Sequence, residues 1–333
     1  MIRESIIIYN TIPRRKYMSI VDSIKSLFER KIIIGIHGLE NKPPRDLLEQ
    51  WWRESIKEGL VRIGHPVRKF NFELVYWADY FYERPQDPSV TDRRSPYYLD
   101  DPYIASDRPV SDFKPSAIRK KVLDFLEKQL DNLFFDEKRG MQFEKITNFI
   151  IRRLFRDLDV YYHKNCVTAR YATMKAKDAI RNELAKALHK HRRKKILLVA
   201  HSMGTIISYD VLAHVVPDVK VDTFITIGSP LGLPLIMKKI FEERGIAFRK
   251  DASAPSPENI RGRWLNYSDL RDPVAANYNL SDDFSPNSRG VGPVDCLIEN
   301  DYVFEKKSHP HKLYGYLRVP PVSWAIYNFL KGK

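Results

Sequence analysis

Five residues, Ala200-His201-Ser202-Met203-Gly204, carry the spacing small-x-Ser-x-small. That spacing lets a serine sit on a sharp turn between a strand and a helix. The flanking positions must be small because strand and helix backbones pass close together there. Glycine is usual at the first position and alanine stands in it here, so one extra methyl group must be accommodated. A plainer reading of the same residues is a buried helix start with Ser202 as its N-cap. A serine is a poor nucleophile unless a histidine takes its proton and an acid orients that histidine. The chain order that suits a serine turn of this kind is serine, then acid, then histidine. Of the nine histidines, only His309 and His311 lie well beyond Ser202. The acid belongs after a later strand, and RWLNYSDLRDPVA offers Asp269 and Asp272.

Acyl chemistry also needs donors for a developing oxyanion. IIIGIHGLE places His37-Gly38-Leu39 after the first clear strand, facing the serine turn. The expected donors are the backbone N–H groups of Leu39 and Met203, the latter at a helix N-terminus where orphan amides favour anions. Gly38, His201 and Gly204 are supporting positions. His37 reads as a supporting residue bonding the loop backbone.

The elements that must hold these residues follow from apolar patterning. IIIGIHG (32–38) is the near-continuous apolar run of a buried parallel strand. Asn41-Lys42-Pro43-Pro44 provides a turn and helix start, and Leu47, Leu48, Trp51, Trp52, Ile56 and Leu60 then recur at helical spacing. A strand is expected at 72–79 (FELVYWAD). Residues 83–115 are rich in Pro, Asp, Ser and Tyr without periodicity, as in a functional lid or surface wrap. Two amphipathic helices follow, one through Ile118, Val122, Phe125, Leu126, Leu130 and Leu133, the other through Phe143, Ile146, Ile150, Leu154 and Leu158. A helix over about 168–193 leads into ILLVA (196–200). Next come a helix from Gly204 to about His214, the strand DTFITIG (222–228), the helical LPLIMKKIFEER, and the strands RWLNYS (263–268) and VDCLIEN (294–300). HKLYGYLRVPPVSWAIYNFLKGK ends the chain as helix.

Strands alternating with helices predict an α/β fold with a mainly parallel central sheet covered on both faces. Residues 1–333 read as a single domain in which 83–167, helical without strands, is an inserted cap. No internal repeat is visible.

IHGLEN, AHSMGT, ITIGSPLG, WLNYSDLRDPVA and HKLYGY together resemble the α/β-hydrolase superfamily, in its lipase-like branch of GPI-inositol deacylase-like, lecithin:cholesterol acyltransferase-like and uncharacterised bacterial serine hydrolases. The match covers roughly 30–80 and 196–317. It implies an α/β-hydrolase fold and a Ser–Asp–His triad that cleaves carboxylic esters without a cofactor or metal. It points to Asp272, in the Trp-x-Asn…Asp-Pro-Val pattern, ahead of Asp269, and to His311, in the His-x-x-x-Gly-Tyr pattern, ahead of His309. The expected triad is therefore Ser202, Asp272 and His311. The other readings are a phospholipase or acyltransferase using the same triad on membrane lipids, and a catalytically silent protein that keeps the fold.

Bulk composition bounds the partners. A hydrophobic content of 43% with 29% charged residues fits a folded soluble chain. The formal net charge of +14 favours anionic contacts, such as a membrane surface. Phe149, Ile150, Ile151, Leu154 and Phe155, bordered by Arg152, Arg153 and Arg156, suit an acyl chain with an anionic head group, or simply core between cap and body. The basic run Lys190–Lys195 ends a helical stretch, where cations complement the dipole, so nucleic acid is not expected. The Ile6–Tyr9 apolar run is too short for a signal peptide, no window reaches membrane-spanning length, and two distant cysteines make no disulfide framework. A cytoplasmic location, with peripheral membrane contact as an option, is the expectation. The sequence leaves the oligomeric state open.

Overall fold

In the computed structural model, residues 31–100, 102–107, 158–247, 249, 252–275 and 277–332 are described. The two helices expected near 118–133 and 143–158 lie outside them apart from Leu158, as do Ile6–Tyr9 and the basic-rimmed apolar face at 149–156.

Six strands form one all-parallel sheet. In chain order they are β1 (Lys31–Ile36), β2 (Phe72–Val75), β3 (Lys195–His201), β4 (Val221–Ile227), β5 (Ile260–Asp269) and β6 (Pro293–Ile298). Their spatial order is β2-β1-β3-β4-β5-β6. Among the described residues the helices longer than one turn are α1 (Arg45–Arg62), α2 (Ala176–Lys190), α3 (Met203–His214), α4 (Pro234–Glu243), α5 (Leu313–Arg318) and α6 (Pro320–Lys331).

The alternation of side chains along each strand feeds two cores. Ile32, Ile34, Ile36, Ile196, Leu198 and Ala200 pack with α2, α3 and α4 on one face. Ile33, Leu197, Val199, Ile225 and Ile227 pack with α1, α5 and α6 on the other. Strands buried on both sides are apolar at nearly every position, which is why they read as continuous runs. The expected doubly covered parallel sheet is what the chain forms. β1 continues through Gly35, where the second face must admit aromatic rings. A Cβ there would meet Phe72 and Trp52 ring carbons at 2.8 Å.

Three boundaries differ from the sequence expectation. The strand expected at 72–79 stops at Val75, and Ala78–Tyr80 is a short 3-10 turn. The Trp77 amide donates to His37 Nε2 instead of to a neighbouring strand. The helix expected from about 168 begins at Ala176, after a 3-10 turn at Ala169–Tyr171. The C-terminal helix is two helices, because Pro320 has no N–H to continue α5 and holds Val319 extended.

The strand order reverses between β1 and β3, so the connections leave these neighbours in opposite directions. That opens a crevice at their carboxyl ends, the usual ligand position in open α/β sheets. His37-Gly38-Leu39 leaves β1 there and Ser202 leaves β3. Residues 83–100 run irregularly over the surface, as expected. They are pinned by buried Asn41, whose Nδ2 donates to the carbonyls of Arg84 (3.0 Å) and Pro96 (2.9 Å).

Candidate active site

Ser202 sits between the last residue of β3 and the first of α3 with φ 54° and ψ −128°. Positive φ is uncommon for a residue with a Cβ, and the surrounding structure must hold it there. Here the Ser202 amide bonds the Ile227 carbonyl of β4 at 3.1 Å, while its carbonyl accepts from Thr205. The turn works only because its neighbours are small. A Cβ on Gly204 would lie 2.8 and 2.9 Å from the Ile36 and His37 carbonyl oxygens, and one on Gly38 would lie 2.7 Å from Ser202 Cβ. Ala200 is fully buried and paired between Ile36 and Thr226, so its methyl group packs into the core behind the turn. The Ser202 hydroxyl makes no helix-capping bond, against the plainer N-cap reading.

The hydroxyl instead meets a histidine. His311 Nε2 stands 3.0 Å from Ser202 Oγ, and His311 Nδ1 stands 2.8 Å from Asp272 Oδ2. These contacts fix the tautomer as Nδ1–H, which donates to the carboxylate and leaves Nε2 free to accept the serine proton. Asp272 is almost fully buried. It also accepts from the Val274 amide (2.9 Å) and from the Tyr316 hydroxyl (2.8 Å). Burial and the neighbouring carboxylates push the Tyr316 hydroxyl well above its usual range, so it stays protonated and donating.

The structure thus brings Ser202, Asp272 and His311 together and leaves the second-choice residues outside. Asp269 is occupied by Arg271, whose Nη2 lies 2.6 Å from its Oδ2. The His309 amide bonds the Tyr302 carbonyl and its ring lies beside Tyr302.

His201 and His37 both support loops. His201 Nε2 donates to the His311 carbonyl at 2.8 Å, and the two rings lie 4.9 Å apart. Burial, with the His311 ring beside it, holds His201 well below the ordinary imidazole range and therefore neutral. His37 Nδ1 donates to the Gly38 carbonyl at 2.7 Å, Nε2 accepts from the Trp77 amide at 3.0 Å, and the ring stacks on Trp77. Burial lowers its pKa to about 3. The N–H groups of Leu39 and Met203 bond no backbone carbonyl among the described residues. Both residues also line an apolar cavity of about 300 Å³ with Trp77, Phe81, Tyr161 and Ile180.

Gly228 is a site residue that the sequence reading did not single out. It has φ +55°, and a Cβ there would lie 2.9 Å from Asp272 Oδ2 and 3.2 Å from His311 Nδ1. The available signal was a glycine closing the strand FITIG ahead of Ser229-Pro230. Tyr316, whose hydroxyl bonds Asp272, was not singled out in the sequence either.

One cluster of metal-ligand types exists among the described residues, Asp210, His214 and Glu243. The Lys177 ammonium bridges both of its carboxylates and Arg181 reaches Asp210, so protein cations already meet its charge. Cys166 is buried, Cys296 is half-buried, and both are free thiols. No helix among the described residues is long and apolar enough to cross a membrane.

The fold and this constellation define an α/β protein with a serine on a strained strand-to-helix turn, backed by a histidine and a buried aspartate. A family model, that of lecithin:cholesterol acyltransferase, matches residues 177–242. The match runs from α2 to α4 and includes Ser202 but neither Asp272 nor His311. No curated protein matches the chain. Among solved structures, the crystal structure of an uncharacterized protein from Bacillus cereus is similar at 10% identity and a TM-score of 0.30, covering 99% of this chain and 65% of that one. That likeness is too low to carry an argument, and this chain spans less than two thirds of that protein's length.

Proposed function

We propose that the protein is a serine hydrolase that cleaves carboxylic esters through an acyl-enzyme. The observation that carries this reading is the unbroken chain from Ser202 Oγ to His311 Nε2 (3.0 Å) and from His311 Nδ1 to Asp272 Oδ2 (2.8 Å). His311 takes the Ser202 proton as Oγ attacks the ester carbonyl carbon. The resulting oxyanion is met by the Leu39 and Met203 amides, and Asp272 stabilises the imidazolium. His311 then protonates the departing alcohol. Water enters, gives its proton to His311, and releases the acid as Ser202 regains its hydrogen. The apolar cavity beside the two amides suits an apolar acyl group.

A fluorophosphonate probe tests this reading. Folded wild type is expected to label at Ser202, and Ser202→Ala to lose labelling together with about five to six orders of magnitude of ester hydrolysis. An unlabelled wild type, or equal labelling of the variant, sinks the assignment and favours a silent binding protein.

The family match favours a second reading, acyl transfer or phospholipid cleavage by the same triad at a membrane surface. Analysis of lipid products, with liposome binding that weakens as salt rises, distinguishes it from hydrolysis of small soluble esters.

A further inference from the structure

His311 lies on a loop ahead of α5, outside any strand or helix. Side chains hold the loop instead. The carbonyls of Pro310, His311 and Lys312 each accept a side-chain donor: Asn300 Nδ2 at 2.9 Å, His201 Nε2 at 2.8 Å, and Asn300 Nδ2 again at 2.7 Å. Asn300 thus grips the chain on both sides of the histidine.

We propose that Asn300 is the positioning residue that sets the His311 ring between Asp272 and Ser202, a role that rests on the serine-hydrolase reading.

Three features support it. The first is chemical. The two amide hydrogens of Asn300 go to the two carbonyls, while Oδ1 accepts from the Tyr302 amide at 3.0 Å. This set of two donors and one acceptor also fixes which way the amide faces. Aspartate of the same shape would turn an oxygen toward two carbonyl oxygens, and an apolar residue would remove all three of these hydrogen bonds.

The second is anchorage. Asn300 is fully buried. Its own N–H donates to Asp269 Oδ2 at 2.7 Å, and its carbonyl accepts from Arg271 Nη2 at 2.8 Å. The adjoining Asp301 pairs with Arg62 at 2.7 Å and with buried Arg318 at 2.6 Å. Asp269 and Arg271 flank the start of the loop bearing Asp272. One rigid post therefore spans the acid loop and the histidine loop.

The third is the space reserved for the amide. A Cβ on Gly315 would fall 1.6 Å from Asn300 Oδ1, so the fourth residue after His311 must be glycine for Asn300 to fit. Tyr316 follows directly, and its hydroxyl donates to Asp272 at 2.8 Å.

The test uses the full chain with Asn300→Ala and Asn300→Ser, since serine keeps one donor. For a wild-type ester substrate, kcat is expected to fall about 100-fold in Asn300→Ala with KM little changed, as for a catalytic group displaced by about 1 Å. Asn300→Ser is expected to recover about tenfold of that loss. In a crystal structure of Asn300→Ala, His311 Nε2 is expected to lie beyond about 3.5 Å from Ser202 Oγ. Wild-type kcat in both variants, or a His311 ring unmoved in the crystal, overturns the proposal. So does a loss of kcat that disappears at low temperature, where both variants are folded. If alanine prevents folding, the serine variant carries the same kinetic and crystallographic readouts. If wild type proves unreactive toward the probe, the hydrolase reading fails separately, and the position of the ring in the variant crystal still decides the role of Asn300.

Discussion

The two halves of the candidate site are held by different means. Ser202 is fixed by regular backbone, a strand entering a sharp turn and a helix leaving it, with the Ser202 amide tied to β4. His311 and Asp272 sit on loops held chiefly by the side chains of Asn300, His201 and Tyr316, with the Val274 backbone amide bonding the Asp272 carboxylate. A backbone turn tolerates a change in side chain wherever the space allows, as at Ala200. A side-chain scaffold loses its geometry with a single group, because each hydrogen bond is specified by one residue. The serine half is therefore robust and the acid–histidine half is brittle.

Breaking the brittle half is expected to have the largest effect. Asp272→Asn leaves the shape but no longer accepts the Nδ1–H proton as an anion. It is expected to lower kcat about 10⁴-fold with the fold retained, measured by ester hydrolysis beside a thermal melt. A loss under tenfold contradicts Asp272 as the acid. Gly228→Ala comes next. It strains a backbone at φ +55° and drives a methyl group against the Asp272–His311 pair. The expected cost is about 1–2 kcal/mol of stability and about 100-fold in kcat. Unchanged kinetics at this position exclude the close approach.

Acid sharpens the comparison from the serine side, because His37 supports the loop bearing the Leu39 amide. Its pKa is about 3 in the fold against 6.5 for a free imidazole. The unfolded chain therefore binds more protons at His37 between these values. Its contribution to stability is fully present above pH 6.5 and is lost as pH falls toward 3. About 2 kcal/mol should be gone at pH 5. Thermal midpoints of wild type and His37→Gln, compared at pH 7.5 and 5, check this. Identical acid slopes count against it. The smallest effect is expected at Ala200→Gly. Hydrolysis should stay within about twofold of wild type, with about 1 kcal/mol lost from the buried methyl group and the freer backbone. A large change in kcat there shows that the methyl group shapes the turn.

The same contrast explains what could be read in advance. The strands are short apolar runs buried on both faces, so Ile32–Ile36, Ile196–Ala200 and Phe224–Ile227 announced themselves. The edges of β2 and α2 did not. β2 ends where the Trp77 amide turns to His37, a contact between residues 40 apart in sequence. The proposal of Leu39 and Met203 as oxyanion donors rests on their places after two strands. Asn300 and Gly228 carried no pattern of their own, because what each does depends on which loop arrives beside it.

The sequence by itself determined the alternation of strand and helix, the small-x-Ser-x-Gly turn, and the order of serine, acid and histidine. These are local matters of periodicity and spacing, written in neighbouring residues. It left Asp269 and Asp272, and His309 and His311, as pairs that only a resemblance could rank. Tertiary structure separated them. Residues two or three apart leave the same loop in different directions, so Asp269 turns to Arg271 and Asn300 while Asp272 turns to His311. That choice rests on hydrogen bonds between segments 30 to 40 residues apart, which no local pattern encodes.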